Sequence, residues 1–432
     1  MKMPVGVKIE GIREIARKIL EVAGRLPLQI FIRVKRGALV RFTNNGIHQN
    51  GFQDFFTYTL RAVGKKGPAW ISSNDFSESG IQEALKRIQP VLTSAPQSPS
   101  KAQPRGSYAR VKEHFSLNLK ETPEMAAQAI EEAVRLIRLA QSSANGYYSA
   151  YERLFYLRDS SGLELFHPAT AARFGVTVTK GAGKGYLSFY HPNPMRLKVA
   201  PLVEQAVDWA DRAARAEITV KPGEYECILS PRALLELMEP LRRHFDRRLT
   251  EDGKSVFSGL LGKRVFSENF SLADDVAHAG QFGVPFDAEG APRRPVALVS
   301  RGVLRELLAE GHSTRGLLEH PLYPQNLVVE KGSLSLEEIF SRIRRGFFIN
   351  KIWYHTVVRE SRMEVTGLAT AGCLSIERGQ VRGRAVHLRY HDSIFSILRS
   401  VVGATREQIL LKDGEMGAAL FPYLWIGRLR VV

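Results

Sequence analysis

The chain has 432 residues, of which 44% are apolar and 24% charged, a composition typical of a globular protein of roughly two or three domains. Its two cysteines are too few for a disulfide framework, and no apolar run reaches the ~18 residues of a membrane span, so we expect a soluble, cytoplasmic protein. The formal net charge of +17 raises the question of nucleic acid, but the basic residues are scattered along segments with apolar periodicity, which disfavours nucleic-acid binding.

Residues 1–92 predict an N-terminal α+β domain made of a helix, a sheet and a second helix. Apolar residues at helical spacing indicate helices over 9–24 and 77–91, the first closed by Gly24 and the second capped by Ser77 or Ser79. Between the helices, alternating apolar residues predict strands at 28–35, 38–42, 54–63 and 68–72, separated by turns at 36–37, 45–46 and 65–67.

Residues 93–107 form the clearest predicted boundary, since TSAPQSPSKAQPRGS is rich in Pro, Ser and Ala and has no periodic apolar face. After this linker, residues 108–217 repeat the order of helix, sheet and helix as a central α+β domain. The predicted elements are a helix over 122–141, strands over 144–157, 163–178 and 185–190, and a helix over 200–216. The GAGKG stretch at 181–185 is expected to be a hairpin turn, because the complete phosphate-loop pattern is absent.

Residues 218–432 predict a largely β C-terminal domain, which completes an α+β fold class. Ser230 and Pro231 suit the start of a helix over 231–249, and a second helix is expected over 392–402. The expected strands are 218–229, 264–266, 295–300, 303–308, 346–360, 362–368, 373–377, 380–388 and 424–431.

Several acidic and sulfur-bearing residues of this domain are candidates for chemistry. The carboxylates Asp274, Asp275, Asp287 and Glu289 are surrounded by turn residues, which favours bonding to backbone amides over acid–base catalysis. Cys227 and Cys373 lie among apolar strand residues and are interpreted as core fillers.

Four stretches of the C-terminal domain carry a resemblance. They are VFSGLLGKRVFSENFSLADD, PFDAEGAPRRPVALVSRGVLRELL, NLVVEKGSLSLEEIFSRIRRGFFINKIWYHTVVRESRMEVTG and CLSIERGQVRGRAVHLRYHDSIFSIL. They resemble the TldD/TldE (PmbA) family, peptidase U62 type, also labelled modulators of DNA gyrase. FTNNGIHQN near residue 45 is similar to the N-terminal turn of that family, so the resemblance follows the same order along essentially the whole chain. It implies a metallopeptidase system of two related subunits. In the TldD-like subunit, two histidines of an HExxxH helix and a later cysteine bind zinc, while the glutamate activates water.

The positions of that motif hold other residues in this chain. Counted back without gaps from the VFSG turn, HExxxH falls on residues 238–243, where Met238 and Arg243 replace the histidines and Glu239 remains. Arginine does not lose its proton to ligate a cation, and no cysteine follows Cys373. We therefore expect no catalytic residue, cofactor or metal in this chain, and zinc in a TldD-like partner.

The resemblance thus implies a TldE/PmbA-like subunit, non-catalytic alone, that pairs with a TldD-like subunit or with itself in a complex cleaving unfolded peptides. A stand-alone basic scaffold or nucleic-acid-associated protein remains an alternative. Another is a divergent metallopeptidase with relocated ligands at His387 and His391, four residues apart beside Asp392, although Asp392 also suits a helix cap. His244, one residue past the second ligand position, stands alone and is expected to be a partly exposed helix histidine.

Overall fold

A computed structural model describes residues 9–64, 67–93, 107–111, 113–115, 117–309, 324–369, 372–413 and 417–432. The predicted linker at 93–107 therefore lies largely outside the described residues. Within the described ranges the α-helices are α1 (Ile9–Ala23), α2 (Glu78–Thr93), α3 (Thr122–Leu139), α4 (Val199–Ala214), α5 (Pro231–Met238), α6 (Arg247–Glu251), α7 (Leu336–Arg342) and α8 (Ile394–Arg399). None of the helices in these ranges combines the length and apolar character needed to cross a membrane.

The N-terminal strands form one antiparallel sheet. Among the described residues its order is β3-β2-β1-β4-β5-β6. The strands are β1 (Gln29–Thr43), β2 (Gly46–Gly64), β3 (Gly67–Ser73), β4 (Ser143–Asp159), β5 (Glu164–Lys180) and β6 (Gly183–His191). Because β1 pairs with β4 from Gln29↔Asp159 to Phe42↔Gly146, the two predicted helix–sheet–helix units share this sheet. The division into domains at 93–107 stays a prediction.

Strand β1 runs straight through the position of one predicted turn. The expectation of a turn at 36–37 was wrong, since both residues pair in register with β2 and with β4. Gly37 is required there by a close approach, because a Cβ at this position would lie 2.1 Å from the carbonyl oxygen of Ala150. The turn at Asn45 is present, and Asn44 and Asn45 adopt the positive φ angles that asparagine tolerates.

The four N-terminal helices cover one face of this sheet. Helices α1 and α2 pack on the part formed by β1 to β3, and α3 and α4 on the part formed by β1, β4 and β5. The opposite face contacts the C-terminal region, where Phe31 and Phe155 pack against Val284 and Phe286. The alternation of apolar residues along each long strand thus serves two separate cores.

The C-terminal region is rich in strands, which together with the helix-covered sheet confirms the α+β class. Its strands are β7 (Glu217–Thr219), β8 (Gly223–Leu229), β9 (Leu272–Asp274), β10 (Val296–Ser300), β11 (Val303–Leu304), β12 (Leu327–Val329), β13 (Arg345–Ile349), β14 (Ile352–Arg359), β15 (Glu364–Ala369), β16 (Leu374–Glu377), β17 (Gln380–Val386), β18 (Arg389–Ser393), β19 (Val401–Asp413) and β20 (Gly417–Val431). Their main path in the described chain is β11-β10-β9-β12-β20-β8-β13-β16-β17-β7.

Several predicted boundaries in this region were wrong. The strands expected over 218–229 and 346–360 are each divided in two, and 264–266 contributes only an isolated bridge from Arg264 to Val303. Strands β9, β12, β18 and β19 were not predicted. Most of these are short or irregular, so their sequences carry too few alternations to indicate a strand.

Candidate functional site

Helix α5 begins where β8 and β13 end side by side. Ser230 caps the helix, because its Oγ accepts a hydrogen bond from the amide of Ala233 at 3.1 Å and donates one to the carbonyl of Asn350 at 2.6 Å. Pro231 occupies the first helical position, where a missing N–H costs nothing. The predicted start of this helix is therefore confirmed, and the cap ties it to the end of β13.

The predicted continuation of this helix to residue 249 was wrong. Helix α5 ends at Met238, and the chain tightens into a 3-10 helix, Glu239–Phe245, before α6 begins. Pro240 lacks the N–H that would bond to the carbonyl of Glu236, and its ring crowds that carbonyl. The break falls inside the segment that aligns with HExxxH, so the motif positions do not share one regular helix.

The three motif positions have separate surroundings. The Met238 side chain is fully buried in the apolar core. The Glu239 carboxylate is more than half exposed and lies 2.8 Å from the guanidinium of Arg242, whereas the Arg243 guanidinium lies 3.2 Å from the carboxylate of Glu360. A cation facing a carboxylate and a thioether enclosed by hydrocarbon do not form a ligand set for zinc.

His244 is the one histidine adjacent to the motif. The expectation of partial exposure was wrong, because its ring is buried against the VFSG turn. Nδ1 accepts a hydrogen bond from the amide of Val256 at 3.3 Å, and Nε2 lies 3.5 Å from Glu360. Burial lowers the pKa of His244, although Glu360 opposes the shift. The VFSG turn therefore packs directly against the motif segment through this ring.

Behind the motif segment lies a buried polar network that the sequence did not indicate as a unit. Arg242 donates to the carbonyl of Pro324 at 2.6 Å. Asp274 is buried and accepts hydrogen bonds from the amide of Asn326 at 2.6 Å and from Arg293 at 3.3 Å. Burial raises the pKa of the Asp274 carboxyl, while Arg293 partly opposes the shift. These contacts account for Asp274 as a structural group.

The other carboxylates of the turn region also bond to the backbone or to a cation. Asp275 accepts from the amide of Ala277 at 2.8 Å, and Asp287 accepts from the amides of Glu289 and Ala291 at 2.9 and 2.8 Å. Glu289 differs, because it forms an ion pair of 2.8 Å with Arg61 of the N-terminal sheet. Two of the three carboxylates thus fix the local turn, and the third joins distant parts of the chain.

The second candidate metal pair, His387 and His391, is not arranged as a site. His387 follows β17 with a positive φ of 58°, whereas His391 lies within β18 opposite Thr366. Asp392 accepts from the amides of Ser393 and Arg430 at 2.8 and 2.9 Å, and helix α8 starts without a side-chain cap. The capping role expected for Asp392 was therefore wrong.

Two cysteines and a glycine-rich turn complete the sequence candidates. Cys227 and Cys373 are free and buried, and burial raises the pKa of the Cys373 thiol to about 12, so neither resembles an activated nucleophile. The GAGKG stretch joins β5 to β6 through the pair Lys180↔Gly183, which is a hairpin. Across the residues that the structure describes, no group of three or more His, Cys, Asp or Glu side chains is placed to hold a metal ion.

A histidine–tyrosine pair beside α5 was missed by the sequence reasoning. His355 Nδ1 lies 2.6 Å from the hydroxyl of Tyr390, across strands β14, β15 and β18. Burial lowers the pKa of His355 to about 4, so the ring is neutral at physiological pH. Glu236 accepts from the amide of Ile352 at 2.9 Å and anchors the start of the same strand to α5. No local sequence signal joins residues so far apart.

Strand β14 also presents exposed apolar side chains. Trp353 is 71% exposed, Tyr354 49% and Val358 54%, and alternate residues of a strand point to opposite faces. In the described part of the chain β14 pairs with β15 alone, so its other edge is open. An open apolar edge is a surface on which another strand can pair.

Comparisons with known proteins agree with this architecture. Residues 222–432 match the family of the PmbA/TldA metallopeptidase C-terminal domain. The solved structure of TldE from Thermococcus kodakarensis superposes with a TM-score of 0.81 at 18% identity, covering 98% of this chain and 99% of that one, which shows a shared fold. A metalloprotease of Methanocaldococcus jannaschii is 22% identical over 326 residues, 67% of this chain and 70% of that protein. A zinc metalloprotease TldD homolog of Saccharolobus solfataricus is 24% identical over 147 residues, 30% of this chain and 33% of that protein.

Proposed function

We propose that this chain, whose residues 222–432 match the PmbA/TldA metallopeptidase C-terminal domain, is the TldE-like, non-catalytic subunit of a two-subunit peptidase. In this role it pairs in the cytoplasm with a TldD-like subunit that holds zinc, and the complex cleaves unfolded peptides. The chain supplies walls and binding surface, whereas the partner supplies the metal and the water it activates.

The observation that carries this proposal is the pair of residues at the two histidine positions. Met238 is sealed in the core, and Arg243 presents a permanent positive charge to Glu360. Binding a cation there would require both exposing Met238 and overcoming repulsion by Arg243. Glu239 is the only one of the three residues that matches the motif. Without metal ligands beside it, this glutamate has no metal-bound water to activate.

Strand β14 supports peptide or partner binding by strand addition. Its open edge offers backbone groups that pair with an extended chain whatever the side chains of that chain. Trp353 and Val358 are exposed near the two ends of the strand, each at an irregularity in its pairing with β15, and both provide apolar contact. An unfolded peptide is suited to this mode because its own backbone groups are free.

The experiment mixes the purified chain with its TldD-like partner and measures cleavage of an unstructured peptide and zinc content of each subunit. We expect no cleavage and no bound zinc for this chain alone, and cleavage when the partner is added. Tight zinc binding by the isolated chain together with cleavage of the peptide would contradict the proposal.

A matched pair of valines tests the role of β14. Val358→Asp places a charge on the open strand, and we expect cleavage by the mixture to fall about tenfold because the apolar contact is lost. Val402→Asp changes another exposed valine, 43% exposed on β19, and is expected to leave cleavage unchanged. Equal activity of both variants would remove β14 from the proposal but leave the subunit role intact.

A further inference from the structure

A stretch of strand β2 forms an open edge of the N-terminal sheet. Strand β3 pairs with β2 only from Tyr58 onward, so within the described chain residues 49–57 pair with β1 alone. At the other end of this stretch the register with β1 shifts and leaves His48 as a bulge. The open edge is therefore about 30 Å long and has a defined limit at each end.

This edge lacks the features that usually prevent two sheet edges from pairing. Residues 49–57 contain no lysine and no proline. Their one charged side chain, Asp54, accepts two hydrogen bonds of 3.1 Å from the guanidinium of Arg36 on β1. Phe52 is 43% exposed and Phe55 is 46% exposed. A long edge with balanced charge and exposed aromatic rings favours pairing with another strand.

The limits of the edge allow one symmetric pairing of the whole stretch with itself. When residues 49–57 of two copies run antiparallel, Gln53 of one copy lies opposite Gln53 of the other. The two-fold axis then passes between these two residues and is perpendicular to the sheet, so the helices of both copies stay on the same side. A register shifted toward β3 would place the second copy against Tyr58, whose edge is already paired with Ser73.

In this register the exposed side chains have complementary neighbours. Phe55 lies opposite Gly51 of the other copy, where a Cβ would meet no atom within 4 Å, so the ring has room beside Leu39, the β1 residue paired with Gly51. The two Gln53 amides face each other and can exchange hydrogen bonds. Asp54 lies opposite a phenylalanine, so the pairing brings no two like charges together.

We propose that this edge joins two copies of the chain by antiparallel pairing of residues 49–57, which unites their two six-stranded N-terminal sheets into one. The pairing uses neither β14 nor the motif segment. It therefore forms without a TldD-like subunit, leaves each copy able to bind one, and stands or fails independently of the peptidase role.

The test is sedimentation velocity of the full chain over about 1–100 μM. We expect a monomer–dimer equilibrium with a dissociation constant in this range, as for interfaces at the small end of the usual sizes. Gln53→Lys and Gln53→Glu each place two like charges opposite each other, and each is expected to weaken dimerisation at least tenfold. An equal mixture of the two variants is expected to dimerise again, because a lysine then lies opposite a glutamate.

Control variants and a crosslink locate the contact. Gln205→Lys makes the same change at an exposed glutamine of α4, which packs on β5 and β6, and is expected to leave dimerisation unchanged. Gln53→Cys is expected to form a disulfide-linked dimer on oxidation, since residues opposite each other on antiparallel strands are within disulfide reach, whereas Gln205→Cys is not.

Three outcomes would overturn the proposal. The first is a chain that stays monomeric throughout the concentration range. The second is a dimer that the folded Gln53 variants do not weaken, or that their mixture does not restore. The third is a monomeric chain whose Gln53→Lys variant fails to bind the TldD-like subunit, which would assign the edge to that subunit.

Discussion

Asp287 combines an ordinary turn role with an unusual electrostatic position. Its Oδ1 accepts both backbone hydrogen bonds of the turn, while the side chain is only 5% exposed. Burial raises the pKa of this carboxyl to about 6. In an unfolded chain the pKa is about 3.9, so the native state holds the proton more tightly than the unfolded state between these values. The free energy of unfolding therefore falls as pH rises through this window.

Asp287→Asn separates the hydrogen bonds from the charge. The amide oxygen of asparagine accepts the same two backbone hydrogen bonds but does not ionise. We expect the variant to match the original chain near about pH 4 and to exceed its free energy of unfolding by about 1–3 kcal/mol near about pH 8. Urea denaturation at a series of pH values measures this difference. Asp275→Asn, at a less buried turn, is the control, and a similar gain there would refute the assignment to burial.

For single residues, the sequence predicted the structural role of a side chain better than it predicted the residue that the side chain contacts. The turn residues around Asp287 correctly indicated bonding to backbone amides, since that interaction is local. Glu289 was expected to behave in the same way, yet its carboxylate pairs with Arg61. A spacing of more than two hundred residues leaves no pattern in the sequence, so such a pair is visible only in three dimensions.

The segment around helix α5 contains two local sequence signals, one at its start and one at Pro240. Only the signal at the start led to a correct prediction. Ser230-Pro231 predicted the start correctly, because capping and the fixed φ of proline act on adjacent residues. Pro240 was present in the sequence, but the apolar spacing around it favoured an unbroken helix. In the structure the missing N–H of Pro240 prevents the α-helix from continuing, and residues Glu239–Phe245 form a 3-10 helix. The identity of Met238 and Arg243 at the two histidine positions could be read from the sequence, but their separation in space could not.

We expect the N-cap of α5 to contribute more to the free energy of unfolding than the N-cap of α7. Ser230 is buried and serves both the amide of Ala233 and the carbonyl of Asn350, so Ser230→Ala leaves two buried groups unpaired. We expect a loss of about 2–4 kcal/mol in the free energy of unfolding. Ser335→Ala removes the exposed capping box of α7 and is expected to cost about 1 kcal/mol.

Chemical denaturation of both serine variants gives the comparison. Because both changes remove one hydroxyl from a helix N-cap, they differ mainly in burial. Equal losses would show that water reaches the Ser230 cap and would contradict its description as a buried link between α5 and β13.

In the whole molecule, the N-terminal sheet is shared by both predicted units and contacts the C-terminal region. Alternating residues correctly indicated most of the long strands, since burial on one face is a local pattern. The pairing of β1 with β4 was not predicted, because alternation fixes which face a residue occupies and not which strand lies beside it. The sequence therefore predicted the fold class and missed the common sheet.

Phe286 tests the contact between these parts. It packs with Phe31 and Phe155 of the sheet, and its exposure is 2%. We expect Phe286→Ala to lower the free energy of unfolding by about 3–5 kcal/mol, because a cavity opens between the two parts. Phe52→Ala, at a phenylalanine that is 43% exposed on β2, is expected to cost less than about 1 kcal/mol. Scanning calorimetry measures both, and a small effect at Phe286 would show that the contact contributes little.

Strand β20 has a consequence for how the molecule is made. It lies in the middle of the C-terminal sheet, between β12 and β8, yet follows every other strand in sequence. During translation β8 and β12 are synthesised long before β20, the strand that pairs with both. Until β20 is made, the strand edges that it covers are unpaired. Such edges are prone to aggregation. The C-terminal sheet is thus completed only after β20 has been made, and until then β8 and β12 can pair with strands of other chains.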